Sequence, residues 1–327
     1  MFYPFKFKPI LKEKIWGGNA LAGDYGKAFD PSMKIGESWE VSTVPEDESM
    51  VSNGQLAGES LEDLIVEYKE LIVGERVFKE HKYEFPLLIK FLDATEKLSV
   101  QVHPANKYAR AHGQRFGKTE MWFILSAAEH AKLIVGLKPG TTKDELVQAL
   151  GDKTITTVLN YLPVKAGDVI YLPAGRVHAI LEGIVLAEIQ QTSDLTYRLY
   201  DWDRVDDAGH LRELHIPESL ENINFNDTEP VMLAKTFSAQ TGFETASVIA
   251  NDYFSVEEIH NSGVRSKYEA ITAMKESFEI LMAVGGEGNI LHPKGMEPFA
   301  KGETLLLPAA LGEYTVKGRI DFLRIRA

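Results

Sequence analysis

Along most of this chain, apolar and polar positions alternate at the two-residue period of a half-buried strand, and a helical period appears only in short stretches. Residues 36–41 alternate in this way. Residues 85–92 and 98–102 read as paired strands, and the apolar run 121–125 reads as a further strand beside them. Strand signals resume at 169–172 and 184–189, separated by turns that carry Gly and Pro. Two helices are predicted from capping patterns. Ser60-Leu61-Glu62-Asp63 opens one whose Leu61, Leu64, Ile65 and Tyr68 share a stripe, and Thr142-Lys143-Asp144-Glu145 opens another that stops near Gly151. A second short helix is predicted from 152 to about 161. The first 44 residues read as turn-rich, and their two tryptophans, Trp16 and Trp39, read as core packing.

Residues 226–230 are polar and turn-like, and they read as a linker. Beyond them come alternation around Phe254 and Val256, an apolar run over 278–284 that ends at Gly285-Gly286-Glu287-Gly288, and short strands at 304–308 and 319–325. Many short strands with regular turns favour a sandwich or jelly roll over a parallel α/β fold. The expected division is a first domain over 1–230, with short helical insertions, and a smaller all-β domain over 231–327.

Composition narrows the function. A chain of 327 residues, 44% of them hydrophobic, can fill two cores at about 150 residues per domain. A net charge of -13 argues against nucleic-acid binding and against an anionic membrane surface, so an anionic ligand needs a local basic pocket. The lack of cysteine excludes disulfides and thiolate ligands, which leaves His, Glu, Asp and Gln to hold any metal. The start lacks the apolar segment of a secretory signal, and no run reaches the roughly twenty residues of a membrane span. A cytoplasmic protein is expected; oligomeric state has no sequence signal.

The chemistry concentrates at 98–125. Gln101 and His103, two apart in an extended run, leave one face of a strand together, and Glu120 opens the next apolar run. An amide oxygen, an imidazole and a carboxylate are three of the ligands a metal site needs. The segment from Gly167 to His178 has Gly, five residues, Pro-x-Gly, two residues and His, which resembles the second motif of the cupin jelly-roll family. His178 is the candidate fourth ligand. The run from Lys301 to Ala309 has the Gly, the strand and the Pro but no following His, so the second unit reads as a degenerate, structural cupin-like roll. The fold expectation is mainly β: two cupin-type jelly rolls with a few short helices inserted. The other histidines read as ordinary core or surface residues.

Wider stretches resemble the type I mannose-6-phosphate isomerases in their short bacterial form. They are Trp16-Gly17-Gly18, Gly36-Glu37-Ser38-Trp39, Leu98-Ser99-Val100-Gln101-Val102-His103-Pro104 with Lys107, Lys118-Thr119-Glu120-Met121-Trp122, the His178 turn, and Ser193-Asp194-Leu195-Thr196-Tyr197-Arg198. The resemblance implies an aldose-ketose isomerase of a sugar phosphate with one zinc ion on Gln101, His103, Glu120 and His178. The large helical insertion of longer members is reduced here to short segments.

Moving a proton between C1 and C2 through an enediol builds negative charge on O1 and O2. Zinc with three neutral donors and one carboxylate stays positive enough to polarise those oxygens. Lys118, two residues before Glu120, points to the same side of its strand and is expected to contact substrate or assist proton transfer. Arg198 is expected to stabilise the enediolate, and Glu37 or a water on the metal are candidates for the base. Ser99, Lys107 and Trp16 are expected to bind substrate, and the phosphate grip is sought among Ser99, Lys107, Arg110, Arg115 and Lys118. Two rival readings use the same residues. One is an iron oxygenase built on His103, Glu120 and His178, and the other is a non-catalytic sugar-binding cupin.

Overall fold

In the computed structural model the chain is described over residues 2–205, 209–263 and 267–327. Among these residues the strands form a six-stranded and a five-stranded antiparallel sheet from the first two thirds, and a nine-stranded sheet completed by the last third. The six-stranded sheet runs Val169–Leu172, Glu120–Ala127, Ile184–Gln191, Leu87–Ala94, Ile35–Val41, Ile10–Gly18. The five-stranded sheet runs Leu159–Pro163, Lys132–Leu137, His178–Ile180, Val100–Val102, Tyr197–Tyr200. Short helices are inserted between them. The expected mainly β, cupin-type architecture is what forms.

The six-stranded sheet is buried on both faces, which explains why its strands read as unbroken apolar runs. Ile89, Phe91, Met121, Phe123, Ala187 and Ile189 point outward and pack against Val256, Ile280, Leu306 and Leu323 of the C-terminal sheet. Leu92, Trp122, Ile124 and Leu186 alternate with them and face the other way, into the first barrel. Lys90, Glu120 and Glu188 share that inward face, as buried charges in apolar strands.

Both capping patterns hold. The Ser60 hydroxyl accepts from the Asp63 amide ahead of Leu61–Tyr68, and Thr142 and Glu145 close a reciprocal capping box on Lys143–Gly151. Several expectations are corrected. The strands at 85–92 and 98–102 are not paired: Leu87–Ala94 and Val100–Val102 lie in opposite sheets, and the chain crosses between them at Thr95, whose hydroxyl and amide hold the Trp16 carbonyl. Glu120–Ala127 likewise faces Val100–Val102 across the barrel instead of lying beside it. No helix spans 152–161. A single 3-10 turn, Ile155–Thr157, leads into the strand Leu159–Pro163, because the β-branched run from Thr154 to Val158 disfavours an α-helix. The turn-rich start contains the strand Ile10–Gly18 and the helix Ala20–Tyr25.

Gly285 to Gly288 do not end a strand. Glu279–His292 runs through them with a bulge between Ala283 and Gly285. A Cβ on Gly286 would lie 2.1 Å from the Arg319 carbonyl oxygen, and one on Gly288 2.2 Å from that of Lys317, so the glycines let two backbones close on each other. At the N-terminus, Phe5 and Lys6 pair with Leu306 and Leu305, which adds the first strand to the C-terminal sheet. Beneath it the buried Lys27 ammonium donates to Glu40 at 2.7 Å and to the Gly302 carbonyl at 2.6 Å. No helix of the described residues is long and apolar enough to cross a membrane.

One cross-strand pair gives a pH prediction. His260 lies opposite Asp321, with Nδ1 2.8 Å from its Oδ1 and Nε2 3.1 Å from Glu258. The hydrogen bonds to these two carboxylates raise its pKa from 6.5 to about 9. A folded-state value above the unfolded one stabilises fully below about pH 6.5 and is lost as pH rises through about 9. Discounted for a side chain one third exposed, the effect is about 1 kcal/mol. Urea unfolding of wild type and His260→Gln should differ by that amount at pH 6 and converge at pH 10. An equal difference at both pH values would rule out the charged pair.

Candidate metal centre

The five-stranded wall sets three functional side chains in one row. His178 is directly opposite Gln101, and Arg198 is opposite Gln101 on its other side, so all three leave the same face. His103 lies one residue past the end of its strand, 1% exposed. The Pro173-Ala174-Gly175 turn re-aims the chain here. Gly175 has φ 91°, and its amide donates to the His103 carbonyl at 2.9 Å, tying the two histidine segments together. Arg176, also buried, forks onto Asp227 through Nη2 at 2.8 Å and Nε at 2.5 Å and reaches the carbonyls of Tyr171, Glu229 and Pro230. The expected linker at 226–230 is thereby fastened to the first barrel.

Both imidazoles are oriented by backbone. His103 Nδ1 donates to the Leu195 carbonyl at 2.9 Å and His178 Nδ1 to the Arg176 carbonyl at 2.8 Å. A carbonyl only accepts, so each Nδ1 carries the hydrogen and each Nε2 presents a lone pair to the barrel interior. Glu120 enters from the opposite wall, its Oε1 3.4 Å from His178 Nε2 and its Oε2 3.7 Å from His103 Nε2. The ligand atoms of these three residues all lie within 4.8 Å of one another. The Gln101 amide comes within 3.3 Å of His178 Nε2 and 3.5 Å of His103 Nε2. A half-turn of its terminal group exchanges the nitrogen that faces them for the oxygen.

This donor set fits a cation. Ligand atoms about 2.0–2.1 Å from a tetrahedral zinc stand roughly 3.3 Å apart, close to the spacings found here. Both Glu120 oxygens are buried with no hydrogen-bond partner among the described residues, although Lys118 Nζ lies 3.2 Å from Oε2 as an ion pair. Burial raises the Glu120 pKa to about 7, against the pull of Lys118. Burial lowers His178 to about 4, and burial followed by the Lys118 charge holds His103 well below its ordinary value. Neutral imidazoles beside a costly, unpartnered carboxylate make a cradle for positive charge.

Above this cradle opens a cleft of about 560 Å³, walled by Trp16, Trp39 and Trp122 and bordered by Ser99, Gln101, Lys118 and Arg198. Trp16 and Trp39 are buried, as core residues are, yet both border the cleft. Its floor is a chain of paired charges across directly opposed strand positions. Trp122 Nε1 donates to Glu188 at 2.8 Å, Lys90 Nζ lies 3.1 Å from Glu188 and 3.5 Å from Glu37, and Trp39 Nε1 donates to Glu37 at 2.7 Å. Burial alone would raise Glu37, but Lys90, Lys14 and the Trp39 bond bring it to about 2. Glu188 is lowered in the same way, Lys90 and Lys118 outweighing burial.

Of the residues singled out in the sequence, Gln101, His103, Glu120, His178, Lys118, Arg198, Ser99, Glu37 and Trp16 come together here. Three do not. Lys107 and Arg110 sit on the helix Asn106–Ala111, where Lys107 borders a separate depression with Tyr108 and Glu221, and Arg115 pairs with Glu84. Lys12, Asp47, Lys90, Glu188 and Arg212 belong to the cleft and were missed. Lys90 and Glu188 had a signal, a charge in the middle of the apolar runs LLIKFLDA and IVLAEIQQ.

Known proteins resemble this chain over its whole length. Residues 4–121 match the model of the phosphomannose isomerase type I catalytic domain, and residues 244–327 that of the mannose-6-phosphate isomerase cupin domain. The mannose-6-phosphate isomerase ManA of Bacillus subtilis is 39% identical over 319 residues, 96% of either chain. The mannose-6-phosphate isomerase of Streptococcus mutans is 36% identical over 99% of this chain and 98% of its own. The crystal structure of the mannose 6-phosphate isomerase from Bacillus subtilis superposes with a TM-score of 0.89 at 32% identity, covering all of both chains.

Proposed function

The chain belongs to the type I phosphomannose isomerase family, and we propose that it interconverts mannose 6-phosphate and fructose 6-phosphate through an enediol, with one zinc ion on Gln101, His103, Glu120 and His178. It is an aldose-ketose isomerase of mannose 6-phosphate. The metal reading is carried by the Glu120 carboxylate, buried, without a hydrogen-bond partner among the described residues and facing two imidazole lone pairs. Bound zinc supplies Lewis acidity toward the sugar's O1 and O2.

The chain's own groups do the rest. Proton transfer between C1 and C2 gathers charge on O1 and O2, and donors already aimed at that charge lower the barrier. Arg198, opposite Gln101, keeps a buried Nε without a partner among the described residues and donates it there. Lys118, buried beside Glu120, donates to substrate or carries the proton. A carboxylate held near 2 is a weak base at neutral pH, so Glu37 works by position, fixing Lys90 and the Trp39 ring. Trp16 offers its ring to the apolar side of the sugar, and Ser99 steadies the Gln101 amide at 3.3 Å.

A coupled isomerase assay on the protein as purified, after chelation and after zinc is returned, should give activity, loss and recovery. Full activity in protein shown by metal analysis to be empty would end the metal reading. Turnover in heavy water should place solvent deuterium on the product carbon, and product without deuterium would mean a hydride shift.

A further inference from the structure

The cations of the cleft divide by what faces them. Lys12 pairs with Asp47, Lys14 with Glu37 at 3.2 Å, Lys90 with Glu188 at 3.1 Å and Lys118 with Glu120 at 3.2 Å. Each of these charges is answered by a carboxylate within the site. Among the described residues Arg198 has no carboxylate partner, and Arg212 has only Asp201, which it shares with Arg204. Arg198 gives Nη1 to the Glu213 carbonyl at 2.9 Å, and its buried Nε has no partner among the described residues.

Arg212 reaches Asp201 at 3.6 Å, beyond hydrogen-bond length, and that carboxylate is already closed on Arg204. Two guanidinium groups therefore share one buried carboxylate, whose Oδ2 has no hydrogen-bond partner among the described residues. The other acidic neighbours among the described residues do not correct the balance. Asp194 is exposed on the cleft wall and pairs with neither arginine among the described residues, and the Glu213 side chain, 85% exposed, turns toward His215. Burial and then the Arg212 charge lower the Arg198 pKa, as two cations at one rim must.

In a chain of net charge -13 this rim is a local excess of positive charge opening onto the substrate cleft. The cleft also has a direction. Arg198 is opposite Gln101, hence beside the candidate metal, while the Arg212 side chain is 39% exposed and lies farther out. A sugar whose reacting carbons lie inward presents its far end to Arg212. We infer that Arg212 grips the substrate phosphate and sets the preference for a phosphorylated over an unphosphorylated hexose. A guanidinium fork matches two phosphate oxygens at once, which a lysine does not. The inference rests on the isomerase reading above.

The test compares wild type, Arg212→Gln and Arg212→Lys on mannose 6-phosphate and on mannose, and titrates inorganic phosphate into each by calorimetry. Loss of a charge-assisted pair predicts a KM for mannose 6-phosphate raised roughly tenfold or more in Arg212→Gln, with kcat much less affected. The preference for mannose 6-phosphate over mannose should fall with it, phosphate affinity should drop by a similar factor, and lysine should recover part. An unchanged KM overturns the inference, and so does an equal loss on both sugars, which a merely structural role would give. If wild type does not isomerise mannose 6-phosphate, the isomerase reading fails by itself. The phosphate titration then decides: undiminished affinity in Arg212→Gln removes the grip, and weakened affinity upholds it.

Discussion

In the His178→Ala variant, bound zinc should be lost and kcat/KM on mannose 6-phosphate should fall by roughly three orders of magnitude or more, the several kcal/mol of charge stabilisation that leave with a Lewis acid. His178 holds the corner between Gln101 on one strand and Val135 on the other, and its tautomer is set by the Arg176 carbonyl. No other described histidine, aspartate or glutamate joins His103 and Glu120 within ligand distance, so nothing replaces it. Metal content and activity should be measured on one preparation whose circular dichroism matches wild type. Stoichiometric zinc with normal turnover would take His178 out of the shell. His103→Ala is expected to behave alike.

Replacing Lys90 by methionine should cost about 3–5 kcal/mol of stability, because a buried carboxylate that loses its cation pays the full desolvation penalty. Lys90 is 5% exposed, lies within 3.5 Å of both Glu37 and Glu188, and stacks its ammonium 4.9 Å from the Trp39 ring. Without it, burial governs the two carboxylates and their folded pKa values rise. A raised folded value means that the penalty is largest at neutral pH and shrinks in acid, as protonation becomes available. Adding Glu188→Gln should recover part of the loss, so the double variant should be more stable than the sum of the single changes. Urea unfolding at pH 7 and pH 5 checks this. Strict additivity together with a pH-independent cost would show that the charge chain is not coupled.

The cradle was legible because its ligands announce themselves locally. Gln101 and His103 lie two apart, Glu120 opens an apolar run, and the Pro/Gly turn before His178 is a backbone device with a readable pattern. What joins them was not local. Alternation shows that residues 85–92 and 98–102 are extended, but it carries no information on whether the chain turns back within a sheet or crosses to the facing one. The structure takes the second course at Thr95. For the same reason the phosphate pool drawn from the neighbourhood of the motif is split, with Ser99 and Lys118 on the cleft and the other three away from it. Lys107, Arg110 and Arg115 are near Gln101 in sequence and away from the cleft in space, whereas Arg212 is distant in sequence and reaches it. Lys90 and Glu188 could have been found by asking why a strand buried on both faces carries a charge at its centre.

The first strand has a consequence for biosynthesis. On one edge Phe5 and Lys6 pair with Leu306 and Leu305, and Lys6 meets Glu303, 297 positions later, while on the other Lys6 is held by Ser52 and Asn53. A ribosome adding roughly 5–20 residues per second leaves that segment waiting on the order of half a minute for its mate. That edge is thus threaded first and seated last. Folding of this chain finishes only after translation does, and in the interval the edge of Phe5 and Lys6 that will meet Leu306 and Leu305 stays open to a holding chaperone or a neighbouring nascent chain.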